Sequence, residues 1–333
     1  MPRFNFSNSS SLHGLAAFLN ASDYFGRAEE APILRFYPGW TFAEPVALVA
    51  AAAWGAWCRR KPGAQIQIEN RFRPSGIESA ASNFAARMKL YDSIGLNDPP
   101  IVHEHEESGK FMPLAQIRSR QDVRPVLANI SAILHLQDDL EALEAVQHAI
   151  SEMLNNVLEH SGSPDGAFVS AMRFRNGKYK RVSVAVADCG IGIREHLRRA
   201  RPEFGASDED AVMAALQWGV TGAMPGPYGP PDNMGAGLFI TRAMAKGTGG
   251  HFALISGSYG YKLLRESSQL KQTELFDDAG AERHKRIQLG HPWQGTIVAV
   301  EIATNHIADW AGFLEWARDR PHAQSVRSRI KFT

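Results

Sequence analysis

Cysteine is scarce in this sequence. Cys58 and Cys189 are the only two among 333 residues, and they lie far apart, without the spacing of a zinc site. A disulfide scaffold or a zinc centre is therefore not expected. This cysteine usage is typical of the reducing cytosol, and we predict a cytoplasmic protein.

Net charge is also nearly absent, because 36 Lys and Arg are balanced by 35 Asp and Glu. No overall field attracts the chain to nucleic acid or to an anionic membrane. The first residues lack the apolar core of a secretory signal, and the most apolar stretch, Pro45–Cys58, is shorter than the ~20 residues that cross a bilayer as a helix. We therefore expect no nucleic-acid partner and no membrane span, and we predict that this stretch is a buried helix.

Residues 31–97 alternate between strand-like and helical patterns. ILRFY and AQIQIEN are strand candidates, and Ala43–Arg59 and Ala80–Ile94 are helix candidates. Because helical crossovers between strands favour parallel pairing, we predict a small α/β domain over residues 1–97. Residues 98–126 are rich in proline and charge, which predicts a linker.

The rest of the chain has one long helical pattern followed by strand-like stretches. The helix is predicted from Asp138 to Glu159, with an apolar stripe along one face. This order predicts an α/β sandwich over residues 127–305, with a mixed or antiparallel sheet and helices on one face. Apolar residues at helical spacing within residues 306–333 predict a C-terminal helix, followed by a tail. The predicted strands are Phe168–Phe174, Arg181–Ala187, His251–Ser256 and Thr296–Ile302.

Three polar residues recur at four-residue steps in SEMLNNVLEHS, namely Glu152, Asn156 and His160. Because a helix has about 3.6 residues per turn, these side chains share one face beside the apolar stripe. A carboxylate, an amide and an imidazole in that position can line a ligand site. A solvated helix edge is the alternative interpretation.

Two glycine motifs follow the long helix. In VAVADCGIGI, an apolar strand runs directly into Asp188, Gly190 and Gly192. A carboxylate there can accept a hydrogen bond from an adenine amino group, and the glycines let the backbone approach a ligand. In DNMGAGLFITRAMAK, Gly235 and Gly237 open a helix whose first backbone amides attract phosphate. Each motif alone also fits an ordinary turn.

In combination and in this order, the three motifs resemble the GHKL nucleotide-binding fold, which is shared by gyrase, MutL, a class of heat-shock chaperones, and bacterial histidine and anti-sigma-factor kinases. EMLNNVLEH is similar to the N box of that family, DCGIGI to its first glycine box and MGAGLFI to its second. GTGGHFALISGSYG and QGTIVAVEI resemble its closing segments. The resemblance extends over residues 138–303 and implies an α/β sandwich of the Bergerat type that binds ATP with Mg²⁺.

The resemblance implies a role for each matching residue. Asn156 would supply its amide oxygen to Mg²⁺, Asp188 would read adenine, and Glu152 would be the base that activates a water or a protein hydroxyl. Thr296 would join a water-bridged network at the adenine. The other matching positions belong to the anti-sigma-kinase-like N box or to the glycine boxes, and they are His160, Gly190, Gly192, Ile193, Gly235, Gly237 and Leu238.

The segment between the glycine boxes, Arg194–Asn233, is a candidate lid over the triphosphate. Ser207 with Asp210 predicts a helix cap within it, whereas GAMPGPYGPPDN is too rich in glycine and proline for regular structure. Arg242 and Lys246 follow the second box on one helical face. They are secondary candidates for phosphate contact, with ordinary surface exposure as the alternative.

Several uses of an ATP site stay open. The N box with His160, and a weak resemblance of residues 1–97 to STAS-like domains, favour a regulatory ATPase or protein serine/threonine kinase in a partner-switching system. An ATP-gated clamp, in which lid closure controls a protein partner, is one alternative. A nucleotide-binding adaptor without turnover is another. Each implies a protein partner, and each is compatible with a homodimer.

Overall fold

The fold is described from a computed structural model of the chain. It describes residues 2–7, 9–26, 31–37, 39–40, 42–72, 79–96, 110–133, 140–174, 181–200, 202–217, 220, 237–265, 273–274, 278–303 and 329–330. Within these ranges, no helix is both long enough and apolar enough to cross a membrane.

The first part of the chain alternates strands and helices, as its sequence predicts. Its elements are β1 (Arg3–Phe6), α1 (Leu15–Asn20), β2 (Ile33–Phe36), α2 (Pro45–Arg59), β3 (Gln67–Glu69), α3 (Ala80–Arg87) and α4 (Leu90–Ile94). β2 pairs with β1 on one side and with β3 on the other, in parallel, which forms the smaller sheet. The predicted parallel pairing is confirmed, whereas β1 and α1 have no counterpart among the predicted elements.

Helix α2 is buried on almost its whole surface. It begins at Pro45, which lacks the N–H that the first turn would leave unsatisfied. Its Trp54 ring packs 5.6 Å from the ring of Phe4 in β1, and the helix also contacts two strands of the larger sheet, Ala167–Phe174 and Arg181–Ala187. A helix that is apolar all round is one that is covered on all sides, and the predicted buried helix is confirmed.

The second part of the chain builds a larger sheet. Its elements are β4 (Phe111–Ile117), α5 (Arg120–Ile133), α6 (Leu140–His160), β5 (Ala167–Phe174), β6 (Arg181–Ala187), α7 (Gly192–Ala200), α8 (Asp208–Ala215), α9 (Gly237–Gly247), β7 (His251–Leu263), β8 (Thr273–Glu274), β9 (His284–Ala303) and β10 (Arg329–Ile330). The larger sheet has the order β4-β5-β6-β9-β7, while β8 and β10 form a separate antiparallel pair.

Of the two predicted arrangements of the larger sheet, mixed or antiparallel, the structure has the antiparallel one, because every neighbouring pair of strands in it is antiparallel. Helices α7, α8 and α9 connect β6 to β7, and these two strands do run in the same direction, as a helical crossover favours. β9, however, lies between them and pairs antiparallel with both. The crossover is present, but it joins strands that are not neighbours.

Helices cover both faces of the larger sheet, whereas they were predicted on one. Helices α5, α6 and α9 pack on one face, around a core that includes Met153 and Phe239. Helices α1 and α2 pack on the other face, where Trp54, Phe168 and Trp293 belong to a single core. That core contains residues from both sides of the predicted domain boundary.

The predicted linker at residues 98–126 is wrong for its second half. β4 is the edge strand next to β5, and α5 begins at Arg120 and packs on α6. In the sequence, Pro113 favours a loop. In the structure it lies where the register of β4 with β5 shifts, between Met112 and Ala115. An edge strand tolerates proline at such an irregularity.

The long helix and the later strands follow their predictions in part. α6 buries Ile150, Met153, Leu154 and Val157 of the predicted stripe. β7 and β9 extend well beyond their predicted bounds and pair with each other as a long hairpin. The predicted C-terminal helix lies outside the described residues.

Candidate functional site

A cavity of ≈ 720 Å³, counted with its opening to solvent, lies between α6, α7 and the larger sheet. Its lining combines segments that are far apart in the sequence, namely α6, the end of β6, the first turns of α7 and α9, and β9. Most of the predicted site residues therefore share one cavity. Those in the lining are Asn156, His160, Asp188, Gly192, Ile193, Gly237, Leu238 and Thr296.

Asp188 follows the last residue of β6 and is 1% exposed. Its backbone N–H donates to the Thr296 carbonyl at 3.0 Å, and its Oδ1 accepts from the Gly190 N–H at 2.7 Å. Its Oδ2 is buried and has no hydrogen-bond partner among the described residues. Burial raises the pKa of Asp188 to about 7, against the opposing effect of the Gly190 amide. One carboxylate oxygen is thus held by the protein and the other is left for a donor.

The backbone around Asp188 approaches its neighbours closely, which requires glycine. A Cβ on Gly190 would lie 2.0 Å from the Ser161 carbonyl oxygen. Gly192 has a φ of +77°, which glycine adopts at little cost. Gly295 has a φ of +93°, and a Cβ there would lie 2.4 Å from the Asp188 carbonyl oxygen. Gly295 was not predicted as a site residue, although it lies in the QGT segment.

Asn156 and Glu152 lie one turn apart on α6. Asn156 lines the cavity, and its Nδ2 is buried without a hydrogen-bond partner in the described part of the chain. Glu152 is outside the lining but lies against Gly237, where a Cβ would be 2.1 Å from the Glu152 Oε2. Burial, and secondarily the Glu159 carboxylate, raises the pKa of Glu152. The carboxylate and amide oxygens are the hard donors that Mg²⁺ prefers. Gly235 lies outside the described residues.

Two histidines stack at the cavity. The ring centroids of His160 and His196 are 4.4 Å apart, with 31° between the ring planes. Burial lowers the pKa of both imidazoles, that of His196 to about 4. Near neutral pH the His196 ring is therefore uncharged. His196 was not predicted, but it lies three residues after Ile193, on the same face of α7.

The remaining wall of the cavity is mostly apolar. Ligand pockets commonly combine apolar walls with a few polar groups that fix orientation. Met153 and Val157 belong to the predicted stripe of α6, whereas the other wall residues come from elements whose tertiary contacts the sequence does not show. These wall residues are Met153, Val157, Leu197, Ala215, Val220 and Val298.

Arg242 and Lys246 are outside the lining of this cavity, and both are buried, which contradicts the alternative of ordinary surface exposure. Lys246 forms an ion pair with Glu282.

The structure describes only part of the predicted lid, Arg194–Asn233. Ser207 caps α8, with its Oγ accepting from the Asp210 N–H at 3.0 Å, as predicted, whereas residues 221–236 lie outside the described residues.

The fold and the cavity define an α/β protein with a partly enclosed pocket that holds a buried carboxylate and an amide. No protein-family model matches the chain, and no curated protein is similar to it in sequence. The function of the chain is therefore inferred from the cavity and from the motifs that line it.

Proposed function

We propose that the chain is a regulatory protein of the GHKL type and that it binds ATP with Mg²⁺ in this cavity. The observation that carries the proposal is the buried Asp188 carboxylate, whose Oδ2 has no partner among the described residues. A buried acceptor without a donor costs folding free energy. The amino group of adenine is a donor of the right kind. Thr296 lies beside Asp188 in the lining of the cavity.

Gly237 lines the same cavity and suits the phosphates. It is the first residue of α9, and the amides of a helix start attract anions. Asn156 also lines the cavity, and Glu152 lies against Gly237. Bound Mg²⁺ would neutralise phosphate charge, and the Asn156 amide oxygen would hold it there.

Glu152 supports turnover rather than binding alone. Its pKa is raised by burial, which suits a general base that takes a proton from a water or a hydroxyl near neutral pH. With Glu152 against Gly237, the proposed reaction is transfer of the γ-phosphate to water or to a serine or threonine of a protein partner. We propose that the protein does this in the cytoplasm, as part of a partner-switching system.

Calorimetric titration tests binding. Mg²⁺ with a non-hydrolysable ATP analogue is titrated into wild type, Asp188→Ala and Asp122→Ala, each shown to be folded by circular dichroism. Asp122 is an exposed acidic residue that caps the start of α5 and serves as the matched control. We expect binding by wild type, an affinity loss of roughly 100-fold in Asp188→Ala, and no change in the control. A folded wild type that binds no nucleotide would contradict the proposal.

The fate of labelled γ-phosphate then separates the reactions. Label on a protein indicates a kinase, and free phosphate indicates an ATPase. Glu152→Gln should abolish either reaction and leave nucleotide binding unchanged. Normal turnover by this variant would show that Glu152 is not the base. Binding without any turnover in wild type would favour the clamp or the adaptor.

A further inference from the structure

Two residues of β9 hold the main chain of Asp188. Its N–H donates to the Thr296 carbonyl, and its carbonyl accepts from the Trp293 indole Nε1 at 3.1 Å. These two β9 residues are separated by Gln294 and Gly295, which interrupt the pairing of β9 with β7. The interruption is a bulge, a device that redirects side chains in a strand.

Trp293 does not line the cavity, so it acts on a ligand only through Asp188. It is 1% exposed, and two aromatic side chains that follow α1 fix its indole. The Tyr24 ring centroid lies 5.1 Å from that of Trp293 and the Phe25 centroid 5.3 Å away, both edge-on. Edge-to-face pairs of this kind stabilise a defined ring orientation.

A second contact reaches Cys189, the residue after Asp188, from Arg60, which directly follows α2. The Arg60 Nε forms an ion pair with Asp165 Oδ2 at 2.6 Å, and the Arg60 Nη2 donates to the Cys189 carbonyl at 3.4 Å. The N-terminal part of the chain therefore contacts Trp293, which donates to the Asp188 carbonyl, and Cys189, which follows Asp188 in the sequence. Trp293 and Arg60 lie outside the three sequence motifs.

We propose that Trp293 is a positioning residue for nucleotide recognition, which holds the Asp188 carboxylate in the orientation that accepts the base and links nucleotide affinity to the packing of Phe25 on its indole. The inference rests on the proposed function. Loss of one hydrogen bond to the Asp188 carbonyl should let the loop that follows β6 shift. We therefore expect the nucleotide Kd to rise about 5- to 10-fold.

The chain offers a closely matched control. The Trp54 indole Nε1 also donates to a backbone carbonyl, that of Tyr24, at 2.7 Å, and the ring is buried in the same core. Trp293→Phe and Trp54→Phe each remove one buried indole hydrogen bond and keep an aromatic ring. We expect similar losses in unfolding midpoint, with a raised Kd for Mg²⁺ and the ATP analogue in Trp293→Phe alone.

An NMR readout separates positioning from general stability. With ¹⁵N-labelled tryptophan, the resonance missing in Trp293→Phe identifies the Trp293 indole. We expect nucleotide to shift that resonance in wild type and not in Asp188→Ala. An indole that only stabilises the fold would not respond to the ligand.

The outcomes are distinct. Wild type that binds no nucleotide overturns the proposed function and this inference with it. Wild type that binds, with equal Kd changes in the two tryptophan variants or none in either, overturns the inference alone. Should Trp293→Phe fail to fold, Phe25→Leu, which removes one ring from the Trp293 indole, carries the test. Its Kd should rise about 2- to 3-fold, and an unchanged Kd would overturn the inference.

Discussion

On the α2 face of the larger sheet, the indole N–H groups of Trp54 and Trp293 each donate to a backbone carbonyl. On the cavity face, Asp188 Oδ2, Asn156 Nδ2 and His196 Nε2 are buried and lack a hydrogen-bond partner among the described residues. Buried polar groups are normally satisfied. Trp40 Nε1 in the α2 core also lacks a partner among the described residues, so the cavity face differs in that its three unpaired atoms line one cavity, as a ligand site requires.

Packing differs between the same regions. In the core that includes α2, Phe36 is 1% exposed, stacks on Phe6 with ring centroids 5.7 Å apart, and stacks on Trp40 at 5.3 Å. Around the cavity, Ile193 and Leu238 are only partly buried. Fully buried rings in close contact contribute more to stability than aliphatic side chains that stay partly exposed at an opening.

Phe36→Ala tests the packing of the core that includes α2, and we expect it to have the largest effect on the free energy of unfolding. Truncating a fully buried phenylalanine should lower the free energy of unfolding by about 3–5 kcal/mol, without changing the nucleotide Kd of the folded protein. Leu238→Ala, on the cavity wall, should cost less than about 1 kcal/mol. Urea unfolding followed by circular dichroism measures both, and equal losses would mean that the two regions are not packed differently.

Asp188→Asn tests the buried carboxylate of the cavity face through the pH dependence of the free energy of unfolding. Burial raises the pKa of Asp188 from 3.8 to about 7, so the folded state holds this proton more tightly than the unfolded state. The stability that this adds is fully present below the unfolded pKa and is lost as pH rises through about 7. Above that pH, the variant should be more stable than wild type by roughly 2–4 kcal/mol, and it should bind nucleotide more weakly.

Urea unfolding between about pH 4 and about pH 9 gives both curves. Asp122→Asn is a control of opposite sign, because backbone amides of Arg118 and Ser119 lower the pKa of Asp122. The contribution of Asp122 is present above its unfolded pKa and is lost as pH falls through its folded pKa. If Asp188→Asn were less stable than wild type at high pH, the carboxylate would have a partner that the free protein supplies.

The sequence predicts best where the signal is local. The stripe of α6 and the strand before Asp188 are periodic patterns, and they place Asn156 and Asp188 on the elements that line the cavity. The edge strand β4 is harder to predict, because Pro113 is acceptable only at the margin of a sheet. Trp293 and His196 have no local signal, since the bulge of β9 decides what Trp293 contacts and the approach of His160 from α6 decides what His196 contacts.

The smallest expected effect is that of Gly237→Ala, which tests whether the α9 start and Glu152 act together at the phosphates. The new Cβ would lie 2.1 Å from the Glu152 Oε2, so the carboxylate must move. Alanine favours helix by about 1 kcal/mol over glycine, which should offset much of the strain and keep the stability near wild type.

We therefore expect Gly237→Ala to raise the nucleotide Kd about 3-fold and to slow turnover more than that, because a displaced base is less well aligned. Calorimetry and phosphate release measure the two effects. Gly290→Ala is the control, because its Cβ would only reach the Asn20 Oδ1 at 3.7 Å, an ordinary contact. If Gly237→Ala matched this control in both Kd and turnover, Glu152 would not act at the phosphates, and the cavity face would hold a binding site without this base.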